Sequence, residues 1–235
     1  MRHSIVRKGP SPYGTAPSAF NRRALFAAAL AAMAALMTPF PPAMAAPPIK
    51  LLALGDSLTA GYGLPEPQGF TAQLQRALVA KGYAVTVINA GVSGDTTAGG
   101  LARLDWALAD RPDAAIVELG ANDMLRGLDP AAAKANLDAI LTRLKDQKIP
   151  TLLAGMLATP SLGPTYTQPF NALYPDLAAR HGVPLYPFFL DGVATDRALI
   201  QNDGLHPTAN GVAVIVERIL PAVTRLLDSL PKSGS

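Results

Sequence analysis

Lys50-Leu51-Leu52-Ala53-Leu54-Gly55-Asp56-Ser57-Leu58 is an apolar run that gives way abruptly to a glycine, an acid and a serine. The segment Leu51 to Leu54 has no polar face, the pattern of a strand covered on both sides, as in a parallel sheet between helices. A serine at the end of such a strand stands where open α/β sheets bind their ligands, beyond the carboxyl ends of the strands. Roughly 150 residues later the chain carries Asp203-Gly204-Leu205-His206-Pro207. Acyl transfer needs these residue types, because a serine hydroxyl is a poor nucleophile until an imidazole takes its proton and an acid orients that imidazole.

Outward from this run, strand and helix signals alternate. The patterns predict strands at Lys50 to Leu54, Ala84 to Asn89, Ala114 to Leu119, Thr151 to Gly155 and Val183 to Tyr186. Helices are expected at Phe70 to Lys81, Thr97 to Leu108, from Asp129-Pro130 through Leu144, at Phe170 to Arg180, and from about Thr208 to Leu227 with a kink at Pro221. Short apolar strands separated by helices indicate an α/β protein: a three-layer α/β/α sandwich on a five-stranded parallel sheet in flavodoxin-like order. The strand order of that fold reverses between the first and third strands. Ser57 follows the first, and Gly120-Ala121-Asn122-Asp123 follows the third.

Residues 1–45 stand apart in composition. Arg2, Arg7, Lys8, Arg22 and Arg23 are their only lysines and arginines, they hold no acid, and Ala24 to Met37 is apolar throughout. Thr38-Pro39-Phe40-Pro41-Pro42 and the small-x-small Ala43-Met44-Ala45 then fit a cleaved export signal, leaving a single domain at 46–235. The 14 apolar residues from Ala24 to Met37 are short for a membrane anchor, which needs about 20. Arg22-Arg23 hints at the twin-arginine route, although Asn21 replaces the usual Ser or Thr. The expected location is therefore periplasmic or secreted.

Five of the 20 lysines and arginines leave with the leader, so 15 remain against 17 acids and the net charge falls from +3 to near −2. The basic balance of the whole chain is thus no sign of nucleic-acid binding. The chain has no cysteine, which excludes disulfides, thiolate catalysis, zinc–thiolate sites and a lipobox anchor. Gly-x-x-x-x-Gly-Lys and His-Glu-x-x-His are absent, and Gly61-Tyr62-Gly63 lacks the third glycine of a dinucleotide fingerprint. No cofactor and no metal is called for, and no obligate protein partner is implied.

Four blocks stand in order: Gly55-Asp56-Ser57, Gly91-Val92-Ser93-Gly94-Asp95, Gly120-Ala121-Asn122-Asp123 and Asp203-x-x-His206. The pattern resembles the SGNH subgroup of the GDSL hydrolases over essentially all of 46–235. Gly55-Asp56-Ser57-Leu58-Thr59-Ala60-Gly61-Tyr62 and Ser93-Gly94-Asp95-Thr96-Thr97 are most similar to its bacterial thioesterase/arylesterase/lysophospholipase branch. Ala121 stands where many relatives carry a second glycine. The resemblance implies Ser57 as nucleophile, His206 as general base and Asp203 as the orienting acid. It also implies an oxyanion hole made of the Ser57 and Gly94 backbone N–H groups and the Asn122 side-chain amide. No Gly-x-Ser-x-Gly surrounds Ser57, since Thr59 stands at the second glycine, so the α/β-hydrolase fold is rejected.

By the same resemblance the loop after the Asn block covers the acyl chain, which here makes Met124, Leu125 and Leu128 an apolar wall. Leu157, in the segment Leu157 to Pro164, belongs to a second. The expected substrate is a small-molecule acyl ester or thioester, lysophospholipids included. A carbohydrate O-acetylesterase on the same fold is the alternative enzyme, and a catalytically silent binding module the alternative of another class. Among the remaining polar residues, His181 beside Gly182 reads as a helix C-terminal cap. Asp56, Asp95 and Asp123 read as loop anchors to backbone N–H groups, and Trp106 reads as core or helix surface.

Overall fold

The computed structural model describes residues 47–231 and Gly9. The leader reading of 1–45 lies, Gly9 apart, outside the described residues. Ala46–Ser235 is one compact unit. Its strands are β1 (Ile49–Gly55), β2 (Val85–Gly91), β3 (Ala114–Glu118), β4 (Thr151–Ala154) and β5 (Leu185–Tyr186). Its helices are α1 (Ser57–Ala60), α2 (Phe70–Ala80), α3 (Thr97–Ala102), α4 (Leu104–Ala107), α5 (Ala121–Leu125), α6 (Pro130–Asp146), α7 (Pro164–His181) and α8 (Ala209–Asp228).

All strand pairs are parallel and the order is β2-β1-β3-β4-β5, the order expected from the alternation of elements. Leu51, Leu52, Ala53 and Leu54 are at most 1% exposed, so β1 is covered on both faces, as its lack of alternation requires. All of β3 and β4 is likewise buried. Helix α2 packs against α8, and α6 packs against both α3 and α7. The sheet grows leftward from β1 to β2 and rightward from β3 to β5, and right-handed crossovers then put these two helix groups on opposite faces. On α8 the buried residues Val212, Ile215, Val216, Ile219 and Val223 recur at helical spacing.

Several boundaries differ from expectation. Thr97 to Leu108 is not one helix: Arg103 (φ −104°, ψ 8°) separates α3 from α4. Gly99-Gly100 weakens the helix, and the Arg103 guanidinium is drawn into the sheet end, Nε to Asp95 Oδ2 at 2.5 Å and Nη2 to Gly55 O at 2.9 Å. Helix α7 begins at Pro164 instead of Phe170, because Pro164 occupies the first helical position and Pro169 is accommodated inside. The fifth strand keeps only two residues, since Pro184 has no N–H to offer a ladder. Helix α8 runs unbroken through Pro221.

Candidate active site

The site forms where β1 and β3 end. Asp56 caps α1, its Oδ1 accepting the Leu58 N–H at 3.0 Å, and Ser57 is the first residue of that single turn. The turn closes at Gly61 in the left-handed region, φ 83°.

The loop after β5 brings in Asp203 and His206. Asp203 Oδ1 accepts the backbone N–H groups of Leu205 and His206 at 2.9 and 3.0 Å. These two bonds, then the imidazole, lower the Asp203 carboxyl to about pKa 2. An ionised carboxylate only accepts, so the 2.6 Å contact between Asp203 Oδ2 and His206 Nδ1 requires the proton on Nδ1. His206 Nε2 is then free to accept from Ser57 Oγ, 2.9 Å away. Gln201 Nε2 donates to Tyr62 O and Pro207 O at 2.9 and 2.8 Å, tying the histidine loop to the segment after the serine. The Tyr62 ring lies against the imidazole, centroids 4.5 Å apart.

Asn122 enters from the first turn of α5. Its Nδ2 donates to Asp56 Oδ2 at 3.1 Å. Gly94 has φ +85°, a conformation that favours glycine, and its carbonyl accepts Arg126 Nη2 at 2.6 Å. Ser57, Gly94, Asn122 and His206 meet in one cleft of about 810 Å³. A larger cleft of about 1020 Å³ lies at the opposite end of the sheet, beside Ile49, Asp113 and Pro150, and the described residues that line it include no serine or histidine.

Met124, Leu125 and Leu157 line the cleft that holds Ser57 and His206, whereas Leu128 does not. Leu128 follows the left-handed Gly127, and its carbonyl accepts the Tyr166 hydroxyl at 2.9 Å. Tyr62, Met156, Phe188 and Leu190 also line the cleft and carried no signal of their own. Tyr62 was visible only as part of the serine block, and Phe188 and Leu190 follow β5 in a segment without periodicity.

Asp56 accepts a backbone N–H as expected, and Asp123 does so from Thr97 N at 2.8 Å. Asp95 instead pairs with Arg103. His181 is not a cap: Gly182, φ 66°, ends the helix, and His181 Nε2 lies 2.7 Å from Asp138 Oδ1 on α6. Trp106 is 69% exposed, on the helix surface.

Two further acids lie beneath the cleft. Burial raises Asp56 to about pKa 6, against the bonds from Leu58 and Asn122. Glu118, at the end of β3, is 1% exposed and accepts from Thr59 Oγ1 at 2.8 Å. Burial first, and the charge of Asp56 second, push its carboxyl well above the usual range. Among the described residues no cluster of three or more potential ligands gathers to hold a metal.

A hydroxyl, an imidazole with its accepting nitrogen turned to it, and an ionised acid behind that imidazole are the parts of a serine hydrolase. Residues 53–214 match the GDSL-like lipase/acylhydrolase family, and the chain belongs to it. It is 40% identical to "Esterase TesA" of Pseudomonas aeruginosa over 178 residues, 75% of this chain and 89% of that protein. It is 38% identical to "Thioesterase 1/protease 1/lysophospholipase L1" of Escherichia coli (strain K12) over 168 residues, 71% of this chain and 79% of the relative. The crystal structure of the SGNH-hydrolase family esterase AlinE4 matches with a TM-score of 0.66 at 49% identity, over 78% of this chain and 98% of that one.

Proposed function

We propose that the protein is an exported serine esterase that hydrolyses carboxylic esters, acyl thioesters and lysophospholipids through an acyl-enzyme, with Ser57, His206 and Asp203 as its triad. The observation that carries this reading is the unbroken path from Ser57 Oγ to His206 Nε2 at 2.9 Å and from His206 Nδ1 to Asp203 Oδ2 at 2.6 Å.

Ser57 Oγ attacks the acyl carbon as its proton passes to His206 Nε2. Negative charge then develops on the former carbonyl oxygen. The Ser57 and Gly94 backbone N–H groups and Asn122 Nδ2 stabilise it, and fixed donors of this kind favour the transition state over the ground state. Collapse breaks the bond to the leaving oxygen or sulfur, which takes the proton from His206. A water, deprotonated by the same nitrogen, attacks the acyl-enzyme and regenerates Ser57. Met124, Leu125, Leu157 and Phe188 give the cleft its apolar lining, which supports an apolar acyl part.

Residues 1–45 act as the export signal and leave 46–235 as the mature enzyme. The leader composition supports this reading, and no helix among the described residues is long and apolar enough to cross a membrane. Mass determination of the exported protein checks it: a mature chain beginning near Ala46 is expected, and an intact leader overturns it.

The activity is tested on p-nitrophenyl esters from acetate to palmitate, with Ser57→Ala in parallel. Serine-dependent turnover that peaks beyond acetate is the expected result, with an acyl thioester and a lysophospholipid as the next substrates. Activity confined to acetate moves the reading to the carbohydrate O-acetylesterase. A folded wild type without turnover on any ester or thioester overturns it.

A further inference from the structure

Asp56 is fully buried directly behind the nucleophile, yet no proton-transfer step above uses it. We propose that Asp56 is a positioning residue for the oxyanion donor, holding the Asn122 amide with its nitrogen, not its oxygen, toward the acyl group. The inference rests on the assignment of Asn122 to the oxyanion hole.

The argument starts from the inventory of donors. Asp56 Oδ1 is committed to the Leu58 N–H at 3.0 Å and Oδ2 to Asn122 Nδ2 at 3.1 Å. An amide nitrogen has two hydrogens in fixed planar directions. Donating one to Asp56 leaves the other for the cleft that Asn122 lines. Rotating the amide by half a turn would set Asn122 Oδ1 against the carboxylate and present lone pairs to the developing oxyanion. An ionised Asp56 forbids that arrangement.

Glu118 keeps Asp56 in the required state. Two buried carboxylates this close do not both ionise readily. Glu118 accepts from Thr59 Oγ1 at 2.8 Å, and its Oε1 is buried without a partner. Asp56 accepts two N–H hydrogen bonds, whereas Glu118 accepts one from a hydroxyl and leaves Oε1 unpartnered, so the proton resides on Glu118 and Asp56 keeps its charge. Thr59 sits in the same turn as Ser57, so both acids brace one unit that carries the nucleophile and orients the oxyanion donor.

The test is a double-mutant cycle on the full chain, read with a p-nitrophenyl ester. Asp56→Asn is isosteric and keeps an acceptor for Leu58, but it turns the group facing Asn122 into a donor. Asn122 must then rotate its oxygen inward. The expected result is a fall in kcat of about a hundredfold with KM changed less than about threefold, and almost no further loss when Asp56→Asn is added to Asn122→Ala. Near-UV circular dichroism verifies the fold, and Asp56→Ser, which is too short to reach Asn122, replaces Asp56→Asn in the cycle if that variant does not fold. Losses that multiply in the double variant, or an Asp56→Asn enzyme of normal kcat, overturn the inference while the esterase reading stands. Normal kcat in Asn122→Ala removes the oxyanion assignment instead, and a wild type without serine-dependent turnover removes the esterase reading.

Discussion

Gly55 and Gly91 are neighbours across β1 and β2, and the turn that carries Ser57 rests on both. A Cβ at Gly55 would lie 2.0 Å from Thr59 Oγ1, and one at Gly91 would lie 2.3 Å from the Ala60 backbone nitrogen. Two adjacent strands thus give up their side chains at the same level, which lets the Ser57 turn sit directly on the sheet end. Gly91→Ala must displace backbone, not a flexible side chain. It is expected to cost about 1–3 kcal/mol of stability and to lower kcat, measured by chemical denaturation and ester turnover.

In the proposed mechanism Asn122→Ala removes a donor whose service falls in the transition state. A loss in kcat of about a hundredfold or more with KM nearly unchanged is expected. An equal rise in KM at constant kcat would show that the amide binds ground-state substrate instead.

Asp203→Asn keeps the shape of the acid but replaces an accepting oxygen with a donor or a weaker acceptor, which unsettles the Nδ1-protonated imidazole. Turnover is expected to fall by roughly a thousandfold or more while the fold persists. The Asp203 carboxyl is lowered from 3.8 to about 2 in the folded chain. Its contribution to stability is therefore present above pH 3.8 and is lost as pH falls through about 2.

Asp56 has the opposite sign. Burial raises its carboxyl from 3.8 to about 6, so the folded chain binds a proton more tightly than the unfolded chain does. Stability from this group falls as pH rises from about 3.8 to about 6, and the ionised acid is a burden above that. Asp56→Asn is therefore expected to flatten the loss of thermal stability over this pH window, by on the order of 1–3 kcal/mol in total, while turnover drops. Thermal midpoints at pH 4 and pH 7 measure it; an unchanged slope would mean that Asp56 ionises there without penalty.

Leu125 and Leu157 line the cleft although 52% and 44% exposed, so each has apolar surface for an acyl chain to cover. Leu125→Ser is expected to lower kcat/KM on octanoate esters about fivefold to tenfold and to leave acetate nearly unchanged, since each buried methylene contributes about 0.8 kcal/mol. A uniform effect at every chain length would place the acyl chain elsewhere.

The strand cores, their parallel order and the residues of the proposed triad were legible because each leaves a local mark. Leu51 to Leu54 lack alternation, Ser57 follows at once, and Asp203 stands three positions before His206. The break at Arg103 and the pairing of Asp95 with it were not legible, because the arginine's partners include Gly55 O, far away in sequence. His181 failed for the same reason: its partner, Asp138, lies on another helix.

What the sequence by itself determined is the order of the sheet and the blocks that hold Ser57, Asn122, Asp203 and His206, since apolar periodicity and turn chemistry act between near neighbours. Only the tertiary structure decided that Tyr62 lies on His206, that Leu128 falls outside the cleft while Phe188 enters it, and that Asp56 takes Asn122 as its partner. Such contacts depend on where separate elements come to rest and how much water they exclude, so a buried acid acquires its charge state from neighbours that the local sequence does not name.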